Sequence, residues 1–215
     1  MKIMMQKSAQ TLPDIPDDRD ASGMDAAHAA DDASAVDDAA LVRAAQADPV
    51  AFGQLYQAYR DRVYWYLLAR TGHAEDAADL TQQVFLTTLD ALAQYNPRKG
   101  PFVAWLFGGA RHAATNFRQR NRQTVAWEYV TGEAAVATAQ SLEDAVVRQE
   151  SLDQLVRLCA ALDPARQELL ALRFVGGLTS AEIAAVMGKS EAATKRQLSR
   201  IVQTLKEHYH DIHEA

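Results

Sequence analysis

The sequence lacks most of what would mark a secreted, membrane-bound or β-rich protein. It has a single cysteine, Cys159, in 215 residues, which rules out an intramolecular disulfide framework and fits a reducing compartment. Its neighbours Leu155, Val156, Leu158 and Leu162 make it a small core residue rather than a nucleophile. No apolar run approaches the ~20 residues of a membrane span, and the opening stretch MKIMMQKSAQTLPDIPDD has no apolar signal-peptide segment. The expectation is a soluble, cytoplasmic chain without membrane insertion. No strand pattern, internal repeat or Gly-rich phosphate loop stands out. His208, His210 and His213 lie close together, but no cysteine or carboxylate set completes a metal site, and a solvated tail is the simpler reading. Asp76 and Asp79, spaced i,i+3, read as part of a partner-binding face rather than an acid/base pair. No catalytic residue, metal or cofactor is expected.

What is present is charge, unevenly placed. The formal net charge is −6, and residues 1 to 40 account for it, with nine aspartates against Lys2, Lys7 and Arg19. The rest of the chain is balanced. Within it, residues 91 to 127 hold no acid and six bases: Arg98, Lys99, Arg111, Arg118, Arg120 and Arg122. A positive surface is expected there.

Periodicity gives an all-α fold of two helical domains joined by a flexible linker. Residues 1–38, rich in Asp, Ala, Pro and Ser, bury too little to offset their ordering entropy and read as a disordered acidic extension. Residues 39–121 are helical in pattern, with a leading helix, a helix start at Asp48-Pro49, and three main helices. Residues 122–140 lack sustained periodicity and read as the linker. Residues 141–210 form a second domain of four helices.

That second domain ends in the clearest local signal of the chain. Thr179 is an N-cap with Glu182 three residues on as a capping box, Gly188 stops the helix, and Ser190 caps the next. Two short helices with a tight glycine turn make a helix-turn-helix. Its second helix carries Lys195, Arg196, Ser199 and Arg200, with Ile183, Val186, Leu198, Ile201 and Leu205 as the core of the pair.

The middle domain makes the reading more specific. DAADLTQQVF at residues 76–85, followed by GPFVAWLFGGARHAATNFRQR, resembles region two of bacterial sigma factors, especially the extracytoplasmic-function (ECF) group. The order of region two, linker and helix-turn-helix matches over residues 40 to 209. On a helical wheel Ala77, Leu80, Val84, Phe85 and Leu92 share an inward arc, while Asp76, Asp79, Gln82, Gln83 and Leu86 point away. The resemblance implies that this outward face docks on core RNA polymerase. It implies that the aromatic and basic segment contacts the −10 element. Tyr95, Phe102, Trp105 and Phe107 offer stacking surfaces for single-stranded DNA and the bases neutralise phosphates. At least two of these aromatics are expected in the core, leaving Trp105, Arg111, His112, Asn116 and Arg120 as −10 candidates. Lys195, Arg196, Ser199 and Arg200 match the positions that meet the −35 element, where an arginine bidentate to guanine is worth about 1–3 kcal/mol of discrimination. The implied function is a non-catalytic transcription initiation factor whose partners are core RNA polymerase and promoter DNA, duplex and single-stranded. A stand-alone helix-turn-helix regulator, dimeric on duplex DNA and independent of polymerase, is the alternative.

Departures from the family pattern suggest regulation. Ala78 and Gln83 stand where glutamates are usual, Thr81 replaces an aliphatic residue, and His112 and Asn116 replace the frequent Asn and Asp. Lys189 and Thr194 stand where aliphatic residues are common, which predicts a less firmly packed recognition helix. A phosphate on Thr81 or Thr87 would add about −1.5 to −2 charges, in place of the missing carboxylates, with a Ser/Thr kinase as activator. An anti-sigma factor is the other regulator considered. The aspartates of the N-terminal extension could compete with promoter phosphates for the two DNA-binding domains.

Overall fold

The computed structural model describes residues 38–121 and 153–214. The acidic extension, apart from Asp38, and the linker lie outside the described residues, and so do the expectations placed on them. The described chain is helical throughout. Residues 38–47 form α1, and a 3-10 turn at Pro49–Ala51 follows, capped by the Asp48 side chain, which accepts from the Val50 amide. Then come α2 (Phe52–Thr71), α3 (Ala74–Ala91) and α4 (Phe102–Asn121). After the linker, residues 153–160 form α5, α6 is Pro164–Leu170, continued by a π-helical turn at Ala171–Val175, and α7 (Ser180–Met187) and α8 (Glu191–Glu214) complete the chain.

The axis of the molecule is α2. Its second half, from Tyr66 to Thr71, is buried residue after residue, as expected of a helix surrounded on all sides. It ends where Gly72 takes φ 74°, a left-handed stop that costs a glycine little. Against it lie α3, through Ala77, Leu80, Val84 and Phe85, and α4, through Phe102, Val103, Leu106 and Phe107. Edge-to-face ring pairs fasten the seam: Tyr56 with Phe85, Tyr59 with Phe102, and Tyr66 with Phe107. The inward arc read from the sequence of α3 is buried at every position.

The two halves do not sit apart. One continuous core runs from Val42 through α2, α3 and α4 into Leu169, Leu172, Leu178, Ile183 and Ile201. The π-helical turn packs on α2, and α7 packs on α4. At the seam Arg62 of α2 donates from Nε to the Gly176 carbonyl at 2.9 Å and from Nη2 to the Gly177 carbonyl at 3.2 Å, with its guanidinium lying over the Tyr59 and Phe107 rings. Gly176 sits so tightly that an added Cβ would lie 2.8 Å from the Phe107 ring. Two domains joined by a linker were foreseen; a shared core was not.

Cys159 is buried among these residues, and burial pushes its thiol up to about 11. At pH 8 its thiolate fraction is then about one part in a thousand, so a thiol-reactive dye should label the native protein far more slowly than the urea-unfolded chain. Equal labelling rates would show that Cys159 is not a core residue.

Candidate nucleic-acid interface

Three surfaces carry the residues singled out by sequence. The first is the outward face of α3. Asp79, Gln82, Gln83 and Leu86 are exposed and Asp76 is half-buried, with Leu86 63% and Leu89 36% exposed. Large apolar side chains left in water beside carboxylates and amides suit a protein-docking face. Glu75 and Asp76 in the first turn also complement the helix dipole. The two threonines part company. Thr81 is buried and its hydroxyl donates to the Ala77 carbonyl at 2.7 Å, whereas Thr87 is exposed and donates to the Gln83 carbonyl at 2.9 Å. Only Thr87 stands where a modifying enzyme could reach it.

The second surface is α4 with the turn before it. Phe102 and Phe107 are core residues, and Trp105 and Tyr95 are half-buried, so two of the four aromatics are withdrawn from any base. Trp105 leans on Tyr95 and Phe102, and the Tyr95 hydroxyl donates to the Gly100 carbonyl, fixing the turn. Trp105, His112, Asn116 and Arg120 follow one another at spacings of seven, four and four, which places them in one stripe along the helix. His112 and Arg120 are exposed and Asn116 is half-buried, and the Asn116 amide pairs with His112 Nε2 at 2.9 Å.

Arg111 is not part of that stripe. At ~100° per residue it lies roughly 120° around the helix from Trp105, on the same face as Arg118 seven residues on. This face looks toward α6. There Glu168, buried, ion-pairs with Arg70 of α2, Nη2 to Oε2 at 3.0 Å, and with Arg111, Nε to Oε1 at 3.9 Å. The Tyr66 hydroxyl donates to the same carboxylate. Burial, then the Glu168 charge, hold the Tyr66 phenol well above its ordinary value, so it stays a donor. Arg118 joins the cluster electrostatically, its pKa lowered by burial and by Arg70. Sequence reasoning missed Arg70, Tyr66 and Glu168. Their only trace is a charge set inside apolar runs, LLART and QELLAL.

The third surface is the helix-turn-helix. Thr179 Oγ1 accepts from the Glu182 amide at 3.1 Å while Glu182 Oε2 accepts from the Thr179 amide at 2.8 Å, the reciprocal cap read from sequence. Gly188 ends α7 at φ 65°, and Ser190 Oγ accepts from the Ala193 amide. Lys195, Arg196, Ser199 and Arg200 are all exposed on α8, Lys195 pairing with Glu191 one turn back at 2.9 Å. Ile183, Leu198 and Ile201 are buried, with Val186 and Leu205 half-buried. The two departures from the family pattern in this motif each find a hydrogen-bond partner. Thr194 is fully buried with its hydroxyl on the Ser190 carbonyl, and Lys189 lies outside the core, its ammonium on Gln197 Oε1 at 2.9 Å.

Among the described residues there is no group of three or more His, Cys, Asp or Glu able to hold a metal ion, and no helix long and apolar enough to cross a membrane.

Comparison with known proteins adds a family to this geometry. The model of sigma-70 region 2 matches residues 55–124, and that of sigma-70 region 4 matches residues 152–205. The ECF RNA polymerase sigma factor BldN of Streptomyces coelicolor is 39% identical over 168 residues, covering 77% of this chain and 63% of that protein's own length. The ECF RNA polymerase sigma factor SigD of Mycobacterium tuberculosis is 29% identical over 174 residues, covering 79% and 82%. A solved structure of CnrH in complex with the cytosolic domain of CnrY aligns with a TM-score of 0.58 at 25% identity, over 79% of this chain and 95% of that one.

The cap at Thr179 sets the entry angle of α7 and, through Gly188, the pose of α8. Thr179→Ala should cost about 1 kcal/mol of stability, read as a lower urea midpoint with an unchanged m-value, whereas no shift would mean that packing alone fixes the motif.

Proposed function

The chain belongs to the sigma-70 family, in its extracytoplasmic-function group, and from that premise we propose that it binds core RNA polymerase and directs it to promoters with distinct −35 and −10 elements. Sigma factors are initiation factors, not enzymes, and the chemistry of RNA synthesis stays with the polymerase. The observation that carries the assignment is the outward face of α3, where exposed Leu86 and Leu89 stand beside Asp79, Gln82 and Gln83. A regulator acting alone on duplex DNA needs no such face and no region-2 helices, and that reading is not favoured.

In this mechanism α3 docks on the polymerase through Leu86 with Asp76, Asp79, Gln82 and Gln83 around it. The α8 helix enters the major groove of the −35 element with Lys195, Arg196, Ser199 and Arg200 toward the bases and phosphates. Trp105, His112, Asn116 and Arg120 meet the −10 strand as it unstacks, and Arg111 reaches its backbone. The partner in CnrH's solved structure, the cytosolic domain of CnrY, supports a protein regulator for this chain too, an anti-sigma factor occupying the same helical faces.

Leu86→Lys should weaken binding of the full chain to core polymerase by about tenfold or more, the scale of losing a buried interface anchor, with the circular dichroism spectrum unchanged. Promoter-dependent transcription with the wild-type chain would be measured alongside. A folded chain that neither binds core enzyme nor supports initiation would sink the assignment.

Thr87 is the proposed position of a regulatory phosphate. It lies one turn beyond Gln83, where a carboxylate is missing, and the added charge of about −1.5 to −2 would fall on the docking face. Phosphorylated protein, or Thr87→Glu, should bind core polymerase more tightly than Thr87→Ala. Equal affinities would leave the threonine a surface residue.

A further inference from the structure

The cluster at the seam between the halves holds more positive charge than its fold needs. Among the described residues two guanidinium groups, Arg70 and Arg111, ion-pair with one carboxylate, Glu168, and a third, Arg118, lies close enough to feel the charges of both Arg70 and Glu168. Arg70 is 97% buried, yet among the described residues its Nε and Nη1 have no hydrogen-bond partner, and neither do the buried Nε atoms of Arg111 and Arg118. Buried polar groups are ordinarily satisfied, and an orphaned donor calls for an explanation. A carboxylate offers two oxygens in a plane. A phosphodiester offers more acceptor directions around one centre, and forked arginine donors suit it well. The donors left idle by Glu168 are those a tetrahedral oxyanion would fill.

The geometry points to a DNA-phosphate site made of Arg70, Arg111 and Arg118 on the first half of the chain, which Glu168 of the second half occupies in the closed molecule and vacates when the halves separate. The proposal rests on the sigma-factor reading and adds to it a backbone contact and the group that masks it. Arg111 and Arg118 lie on α4, around the helix from the Trp105, His112, Asn116 and Arg120 stripe, so the site would grip the backbone of a strand whose bases that stripe meets. Separation is required by scale. The two promoter elements lie about 25 base pairs apart, roughly 85 Å of duplex at ~3.4 Å per step. A closed body of about 150 residues has a radius of gyration near 15 Å and is roughly 40 Å across. About 30 residues join the halves, a contour of about 100 Å if fully extended, which is enough to reach.

Two variants would open the seam by different means. Glu168→Gln removes the charge that holds the arginines. Gly176→Ala leaves every charge in place but drives a methyl into Phe107 and the Leu172 carbonyl. Each full-length protein would be followed by small-angle X-ray scattering for its radius of gyration and by fluorescence anisotropy on a labelled 20-nucleotide single strand, without polymerase. Both variants should expand and bind the strand about tenfold more tightly than wild type. Their salt dependence should steepen by about 0.7 in log–log slope, the increment of one added phosphate contact on a single strand. Arg70→Gln, or Arg118→Gln should the buried substitution unfold the chain, should abolish the gain in both backgrounds. Opened proteins that bind no tighter, or whose gain survives loss of the arginines, would overturn the proposal, as would variants that remain closed yet bind tighter. Polymerase affinity, measured separately, reads the sigma assignment: its loss with the phosphate gain intact would strike that assignment and not the arginine site.

Discussion

The closed form of this protein depends on one buried carboxylate. Glu168 lies on the buried side of α6 with Leu169 and Leu170, and burying it uncompensated would be prohibitive. Tyr66 and Arg70 compensate it from α2 and Arg111 from α4, so the charge can be buried only where the second half of the chain lies on the first. The apolar contacts of Phe107, Leu172, Leu178 and Ile183 supply the driving force for the seam. The carboxylate supplies its register. Breaking a buried pair by removing one partner typically costs roughly 3–5 kcal/mol, far more than the net value of forming it. Such a pair specifies an arrangement rather than adding stability, and the arrangement it specifies covers a face of α4.

Arg62 reinforces the register without adding a charge pair. Its guanidinium is spread over two rings and donates to two carbonyls of the Gly176-Gly177 turn, which gives the turn partners across the seam. Gly177 takes φ 65° and Gly176 has no room for a Cβ, so both glycines are needed here, one for conformation and one for space. The seam therefore combines a small, shape-specific contact with a charge-specific one.

Local features were legible in the sequence because local chemistry determines them. The capping box at Thr179, the glycine stop at Gly188 and the inward arc of α3 follow from hydrogen bonds and periodicities within a few residues, and each is found as read. The exposure of Lys195, Arg196, Ser199 and Arg200 on α8 was legible for the same reason. What could not be read was long-range. Arg111 was grouped with His112 and Asn116 because all three are polar neighbours on one basic segment, yet roughly a third of a turn separates their faces, and the partner that claims Arg111 lies 57 residues away. Glu168 gave no signal, since a lone acid among leucines is read by periodicity as a solvent-facing position. Lys189 misled in the opposite direction. It was judged as a failed core residue, whereas the position is an exposed one that ties the turn to Gln197.

The two positive surfaces are held by anions of very different strength, which under the proposed masking would set an order of events. On α8, Lys195 is paired with Glu191 in an exposed i,i+4 contact, worth about 0.3–0.5 kcal/mol and screened by salt. The proposed −35 surface, Lys195, Arg196, Ser199 and Arg200, is therefore left exposed in the described structure. On α2 and α4, the arginines face a carboxylate shielded from water, where charge interactions are stronger and screening is weak. Under the proposed masking, the exposed surface can meet duplex DNA first by diffusion, and the masked one engages only once the seam has parted. A protein built this way would not close on promoter-like phosphates before the partner that holds its halves apart is in place, because its strongest anion-binding group is already occupied from within.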